Sequence, residues 1–197
     1  VIELLSARDE HGYVFRVDMR LRPSPEVTPI TIPVDAAISY YESSALAWEQ
    51  AAFIRSRVAA GDRALGAYFL KNIQPFIWRR SLDFGQMANI RAMSGQIRDH
   101  YHQGQLLGPG YQSKRGRGGI RECEFFAQAH QLIHGGRDPG LRVRDTRMAL
   151  ALLAQNDRIG HDEADALTDA YVALRTIEHR LQMVQDRQTH SLPEDAE

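Results

Sequence analysis

Three stretches hold side chains of the kinds that bind phosphate or a divalent cation. The first is VFRVDMRLRP, Val14 to Pro23. Read with a period of two, Phe15, Val17, Met19 and Leu21 share one face, and Arg16, Asp18, Arg20 and Arg22 share the other. A carboxylate on a strand can join carboxylates of neighbouring strands around Mg²⁺. Adjacent guanidinium groups can grip phosphate bidentately and keep Asp18 ionised. The competing reading is a solvated face whose cross-strand ion pairs contribute about 1 kcal/mol each at most.

The second stretch is SKRGRGGIRECEFF, Ser113 to Phe126, in which Gly and basic residues precede a helix expected to start near Gly119. A helix N-terminus with free N–H groups binds anions, Gly lets a phosphate approach the backbone, and Lys114, Arg115, Arg117 and Arg121 add charge. The loop lacks the Gly-Lys-Ser/Thr ending of a Walker A motif and has no strand before it, as a dinucleotide-binding turn would. A flexible basic loop is the alternative. The third stretch, WEQAAFIRSR (Trp48 to Arg57), embeds Glu49, Arg55 and Arg57 in an apolar helix. It reads as an internal ion-pair network or as a route to a phosphate-bearing ligand. Glu178, His179 and Arg180 in RTIEHRLQM read as a packed helix with salt bridges.

Other chemistries find less support. His130 and His134 stand at i, i+4 but without an HExxH pattern, and His100 and His102 fall on different faces. No serine sits in a nucleophile elbow, and the single cysteine, Cys123, has no assignable base. One cysteine excludes an internal disulfide and a cysteine-based zinc site, and suits a reducing cytoplasm. The formal net charge of −1 over 197 residues gives no basic field for nucleic acid, and no apolar run is long enough for a membrane span.

The elements that must position these groups change character at Pro33. Residues 1–23 read as a β-hairpin, VIELLSA and YVFRVDMRLRP around the turn RDEHG. Pro23 to Pro33 holds four prolines and reads as an extended connector. Beyond it the spacing predicts helices: one long helix from Val34 towards Gly61, a shorter one interrupted at Pro75, and one with the stripe Phe84, Met87, Ile90, Met93 and Ile97. A Gly-rich loop follows, then helices over IRECEFFAQAHQLIH, TRMALALLAQ and DEADALTDAYVALRTIEHRLQM. The expectation is a mainly α chain: a partial β-hairpin with its connector (1–33), which the family resemblance given next makes the end of a nucleotidyltransferase domain, followed by an all-helical bundle domain (34–197). The start at VIELLSAR, without an initiator Met, reads as a fragment of a larger protein.

Taken in order, RVDMRLRP, YYESSALAWEQAAFIRSRVAAGD, PFIWRRSLDF, KRGRGGIRECEFFAQAHQLIHGGRDPGLR and IEHRLQMVQDRQTHSLP resemble the glutamate–ammonia ligase adenylyltransferase family. The resemblance covers nearly the whole chain. It implies a bifunctional nucleotidyltransferase that adenylylates and deadenylylates glutamine synthetase. GRGGIRECEFF resembles the N-terminal, adenylyl-removing half, in which phosphate attacks the adenylyl–tyrosine bond and ADP leaves. By the same resemblance Asp18 is the third of three Mg²⁺-binding carboxylates, and Arg20 and Arg22 face phosphate. Arg55, Arg57, Lys114, Arg117 and Arg121 would border a nucleotide cleft. The implied partners are glutamine synthetase, the PII signal protein, ATP or ADP, and phosphate. The Gly-Ser-Asp motif of the other two carboxylates does not occur here, so the fragment alone is expected to be inactive. A non-catalytic docking module, or the helical region of a PII uridylyltransferase-like protein, is the alternative; GRGGIRECEF argues against the latter.

Overall fold

Side-chain caps begin several helices where the sequence offers a short polar residue ahead of an apolar period. In the computed structural model, which describes residues 1–10, 12, 17–81, 84–99, 108–184 and 189–194, Asp62 accepts N–H bonds from Ala64 and Leu65 to open α4 (Arg63–Asn72). Asp145 accepts from Met148 to open α8 (Thr146–Gln155). Asp162 and Glu163 lie in the first turn of α9 (His161–Met183), where the positive end of the helix dipole favours them. The other helices are α1 (Ile2–Ser6), α2 (Val34–Ser43), α3 (Ala47–Phe53), α5 (Gln74–Ile77), α6 (Phe84–Asp99) and α7 (Ile120–His134), with a 3-10 turn at Pro139–Leu141. Among the described residues none is long and apolar enough to cross a membrane.

The chain is mainly α, as its periodicity predicts, but the hairpin at its start does not form among the described residues. VIELLS turns into α1, closed by Leu5 N–H on Val1 O at 3.0 Å and by Ser6 Oγ donating to Ile2 O at 2.8 Å. Val1 and Leu4 are exposed. Alternation needs a sheet to bury one face, and with none among the described residues local helical bonds satisfy the backbone. Only an isolated bridge, Asp9 with Gly12, remains of the turn. Residues 13–16, including Phe15 and Arg16 of the expected strand, lie outside the described residues.

The long helix expected from Val34 towards Gly61 is two helices. Ser43 Oγ bonds back to Ser39 O, and Ser44 leaves the helical region at φ −124°. The Glu49 carboxylate then accepts Leu46 N–H at 2.7 Å and starts α3 afresh. That is the first use of Glu49, and it keeps this buried carboxylate satisfied. The break at Pro75 is as expected, with α4 ending at Asn72 and α5 following.

Backbone contacts divide the chain into two units: Val1–Ala45 with Ala60–Ile73, and Leu46–Ala59 with Gln74–Glu197. In the first, α2 packs on α4, with Tyr41 edge-on to Phe69. In the second, α7 is central and meets α3, α6, α8 and α9. Its core is Ala127, Ala149, Leu150, Ala154 and Ala164, flanked by Phe126, Val143, Ile159 and Leu167. Alanines let α7, α8 and α9 approach closely, and Leu150 fills the space between with no exposure. In the α6 stripe Ile90 is buried, whereas Phe84 is 98% exposed and does not join it. Leu150→Ala is expected to destabilise the chain by about 2–5 kcal/mol, because alanine neighbours cannot move in to fill the hole; urea unfolding measures it.

Candidate functional site

Asp18, Arg20 and Arg22 fall in a turn rather than on a strand face. Asp18 Oδ1 accepts the backbone N–H of Arg20 at 3.0 Å and its Nε at 2.9 Å, and Nη2 reaches Oδ2 at 2.5 Å. This bidentate pair raises the already high pKa of the guanidinium, first through the hydrogen bond and then through the charge of Asp18. Arg22 is half-buried and donates from Nη2 to Pro25 O at 2.5 Å. A cation at Asp18 would have to displace Arg20 from both carboxylate oxygens. Among the described residues no group of three or more His, Cys, Asp or Glu side chains converges. The described residues therefore do not fit Mg²⁺.

In the second unit the arginines expected to meet phosphate are drawn to a carboxylate. Arg55 lies just beyond α3 and donates from Nη1 to Glu124 Oε1 at 3.1 Å and from Nη2 to Thr146 Oγ1. Arg121, one turn before Glu124, reaches its Oε2 at 3.9 Å, and Tyr171 Oη donates to Oε1 at 3.4 Å. Glu124 is buried, so its charge needs these partners. Arg55 is thus part of an internal ion-pair network, with Glu124 as its partner. A partner 69 residues away leaves no trace in local spacing. Arg57 is exposed. Glu178 is likewise buried and held by Arg175 at 2.6 Å and by His190 Nδ1 at 2.9 Å, the salt-bridged helix that RTIEHRLQM suggests.

The Gly-rich loop spends its backbone donors on itself. Ile120 N–H donates to Ser113 O at 3.0 Å, Arg121 N–H to Lys114 O at 2.9 Å and Glu122 N–H to Gly119 O at 3.1 Å. Gly118 N–H is taken by the Glu122 carboxylate at 2.9 Å. These are the groups an anion would need at this helix N-terminus. A Cβ on Gly116 would fall 2.6 Å from the Tyr111 ring, and one on Gly119 2.7 Å from Ser113 O. These glycines thus permit the loop to fold on itself. The segment 189–193 pins it further: Ser113 N–H and Oγ both donate to His190 O, and Leu192 N–H donates to Tyr111 O at 2.9 Å. What remains outward is side-chain charge. Arg115, Arg117 and Arg121 are exposed and Lys114 is half-buried. Residues 101–107 at the loop's start, like His100, are outside the described residues.

The comparisons with known proteins follow the same order along the chain. Residues 1–72 match the family model described as Glutamate-ammonia ligase adenylyltransferase. A Mesorhizobium japonicum protein, named bifunctional glutamine synthetase adenylyltransferase/adenylyl-removing enzyme, is 50% identical over 197 residues, 100% of this chain and 20% of that relative. A Caulobacter vibrioides protein of the same name is 52% identical over 191 residues, 97% of this chain and 19% of the relative. The chain belongs to the glutamate–ammonia ligase adenylyltransferase family. It spans about a fifth of the length of these curated relatives. Residues 88–197 also belong to the family described as GlnD PII-uridylyltransferase. That match runs through Gly116–Phe126, so GRGGIRECEF does not separate the two families as expected.

This adenylyltransferase-family chain also has an apolar cleft of about 540 Å³ that periodicity does not reveal, lined by Ile90, Ser94, Cys123, Phe126, His130 and Leu167 among others. Burial raises the Cys123 thiol, with Glu122 adding to it, which keeps the sulfur protonated and unreactive. Burial lowers His130 against the pull of Glu163, and its buried Nδ1 has no hydrogen-bond partner. Burial, Arg158 and His130 lower His134 against Asp138. Burial and then Lys114 lower His190, against Glu178. The rings of His130 and His134 stack at 6.0 Å.

Each of these histidines is depressed below its ordinary 6.5. The unfolded chain therefore takes up the more protons as pH falls past that value, and stability present above it is lost below it. The urea midpoint should drop between about pH 7.5 and pH 5.5, with a shallower slope for His130→Leu. Glu124→Ala should cost about 2–4 kcal/mol in urea unfolding, reduced from a fully buried pair because Arg55 is partly exposed, and Glu124→Leu with Arg55→Leu should recover part of it.

Proposed function

We propose that this chain is the segment of a bifunctional glutamine synthetase adenylyltransferase/adenylyl-removing enzyme that serves the adenylyl-removing half. On this reading phosphate attacks the phosphorus of an adenylyl–tyrosine ester. The new P–O bond makes ADP, and the tyrosine oxygen leaves and takes a proton. Glutamine synthetase is the protein substrate. The observation that carries the reading is 50% identity along all 197 residues to a relative of that name. The likeness of GRGGIRECEFF to the removing half supports the choice of half. The helical second unit acts as a rigid support: Glu124 ties α7 to α9 and to the end of α3, Glu178 ties α9 to the segment at His190, and the Gly-rich loop before α7 is closed on itself. A second reading, a module that docks the PII signal protein, draws on the match of residues 88–197 to the PII-uridylyltransferase model.

The test is a full-length relative in which this segment replaces its own. With adenylylated glutamine synthetase and phosphate it should release ADP. Asp18→Asn in the chimera should lower that release by about 100-fold or more while adenylyl transfer from ATP and the melting temperature stay unchanged. Loss of transfer with removal intact would assign the segment to the other half, and near-normal rates of both would take Asp18 out of the reaction. If instead the segment only docks the PII protein, the chimera with Asp18→Asn keeps both activities and loses none of its response to that protein.

A further inference from the structure

A groove on the second unit gathers arginines that none of the foregoing uses. It lies where α5 runs out towards α6, beside the glycines that end α7, and is lined by Trp78, Arg79, Arg80, Gly136 and Arg142 among others, with a volume of about 680 Å³. Arg137 stands at the same edge, its Nε donating to Arg80 O at 2.9 Å. Among the described lining residues there is no carboxylate.

The groove is built rather than incidental. Arg142 is held from behind: its Nε donates to Gly135 O at 2.7 Å, and its guanidinium lies 5.6 Å over the Trp78 ring. Trp78 is itself buried and abuts Gly135, where a Cβ would fall 2.8 Å from the ring. Gly136 brings the end of α7 against the Arg79 carbonyl, where a Cβ would stand at 1.8 Å. No other residue fits there, so the two backbone segments that carry Arg79, Arg80, Arg137 and Arg142 are fixed side by side. Arg79 and Arg80 are exposed. Like charges brought together repel unless a counter-charge sits among them. The planar fork of a guanidinium matches the oxygens of phosphate in pairs.

We propose that this groove binds a small phosphate-bearing molecule, the phosphoryl group lying between Arg79, Arg80 and Arg142. Its volume is well beyond that of a bare phosphate ion and suits a ligand the size of a nucleotide. The site involves none of the residues assigned to adenylyl chemistry, so it stands or falls apart from that assignment.

Isothermal titration of inorganic phosphate, AMP and ADP into the full 197-residue chain, at about physiological ionic strength, tests it. Saturable one-to-one binding is expected. Arg79→Gln with Arg80→Gln, both exposed positions, should weaken it about tenfold or more with the melting temperature unchanged. Arg63→Gln with Lys71→Gln, exposed basic residues outside the groove, should leave it intact. AMP or ADP binding tighter than phosphate identifies a nucleotide as the occupant, and equal affinities identify the phosphoryl group alone; both support the site. No saturable binding, an unaltered affinity in Arg79→Gln with Arg80→Gln, or equal weakening by the Arg63 and Lys71 pair, which would mean diffuse charge attraction, overturns it.

Discussion

The Glu124 carboxylate governs how the second unit is put together. A buried carboxylate costs several kcal/mol unless its charge is met. Here it is met by groups from different parts of the chain: Arg55 after α3, Arg121 on α7 itself and Tyr171 on α9. Arg55 also takes Thr146 at the start of α8. The requirement of one oxygen pair thus fixes the end of α3, the rotation of α7 and the approach of α8 and α9. Apolar contacts supply the bulk of the stability through Leu150 and its alanine neighbours. They leave rotation and register loosely set, because alanine faces fit in more than one way. The buried charge favours one arrangement, which is the service a single polar contact can give a helical core.

The same accounting explains the Gly-rich loop. Its basic side chains invite an anion-binding reading, and so does its place before a helix. The deciding quantity is whether the amides are free, and Ser113, Lys114, Gly116 and Glu122 already accept them. A loop held this firmly, and tied again by His190 and Leu192, serves to place its arginines rather than to wrap a ligand. The arginines of the groove beside Trp78 differ in this respect. Arg142 is anchored to carbonyls and a ring rather than to a carboxylate, so its positive charge is not cancelled.

Much of the helical part is legible in the sequence. IRECEFFAQAHQLIH, TRMALALLAQ and the acidic-led stretch after Gly160 become α7, α8 and α9 because the period is backed in each by a second signal, the Asp145 cap for α8 and acidic first-turn residues for α7 and α9. The break after Asn72 follows from Pro75. The break in YYESSALAWEQ was hidden because serine is compatible with a helix until its hydroxyl turns back on it, and because a capping carboxylate at Glu49 looks the same in sequence as a surface one. The site was less legible. Arg55 announced a need for a partner but not its identity, since Glu124 comes near only through the fold. The Trp78 groove has no local pattern at all. FIWRR and GGRDPGLR gain meaning together, once Gly136 sets their backbones in contact.

Asp18 shows why alternation is a conditional argument. A period of two says which side chains share a face only if the segment is a strand, and a strand exists only by virtue of a neighbour that takes its N–H and C=O groups. Where the described residues offer no such neighbour, the shortest available bonds prevail: α1 closes within itself, and Asp18 accepts both the backbone and the side chain of Arg20 two residues on. The same i, i+2 spacing that would set the two side by side on a sheet lets them meet directly in a turn. A carboxylate so engaged must give up bonds to Arg20 to take a cation, whereas one held on a sheet is kept from its neighbour by the stiffness of the strand. The chemistry open to Asp18 is therefore a property of the strands around it. The pairing of Asp18 with Arg20 is the state from which any cation site there would have to be assembled.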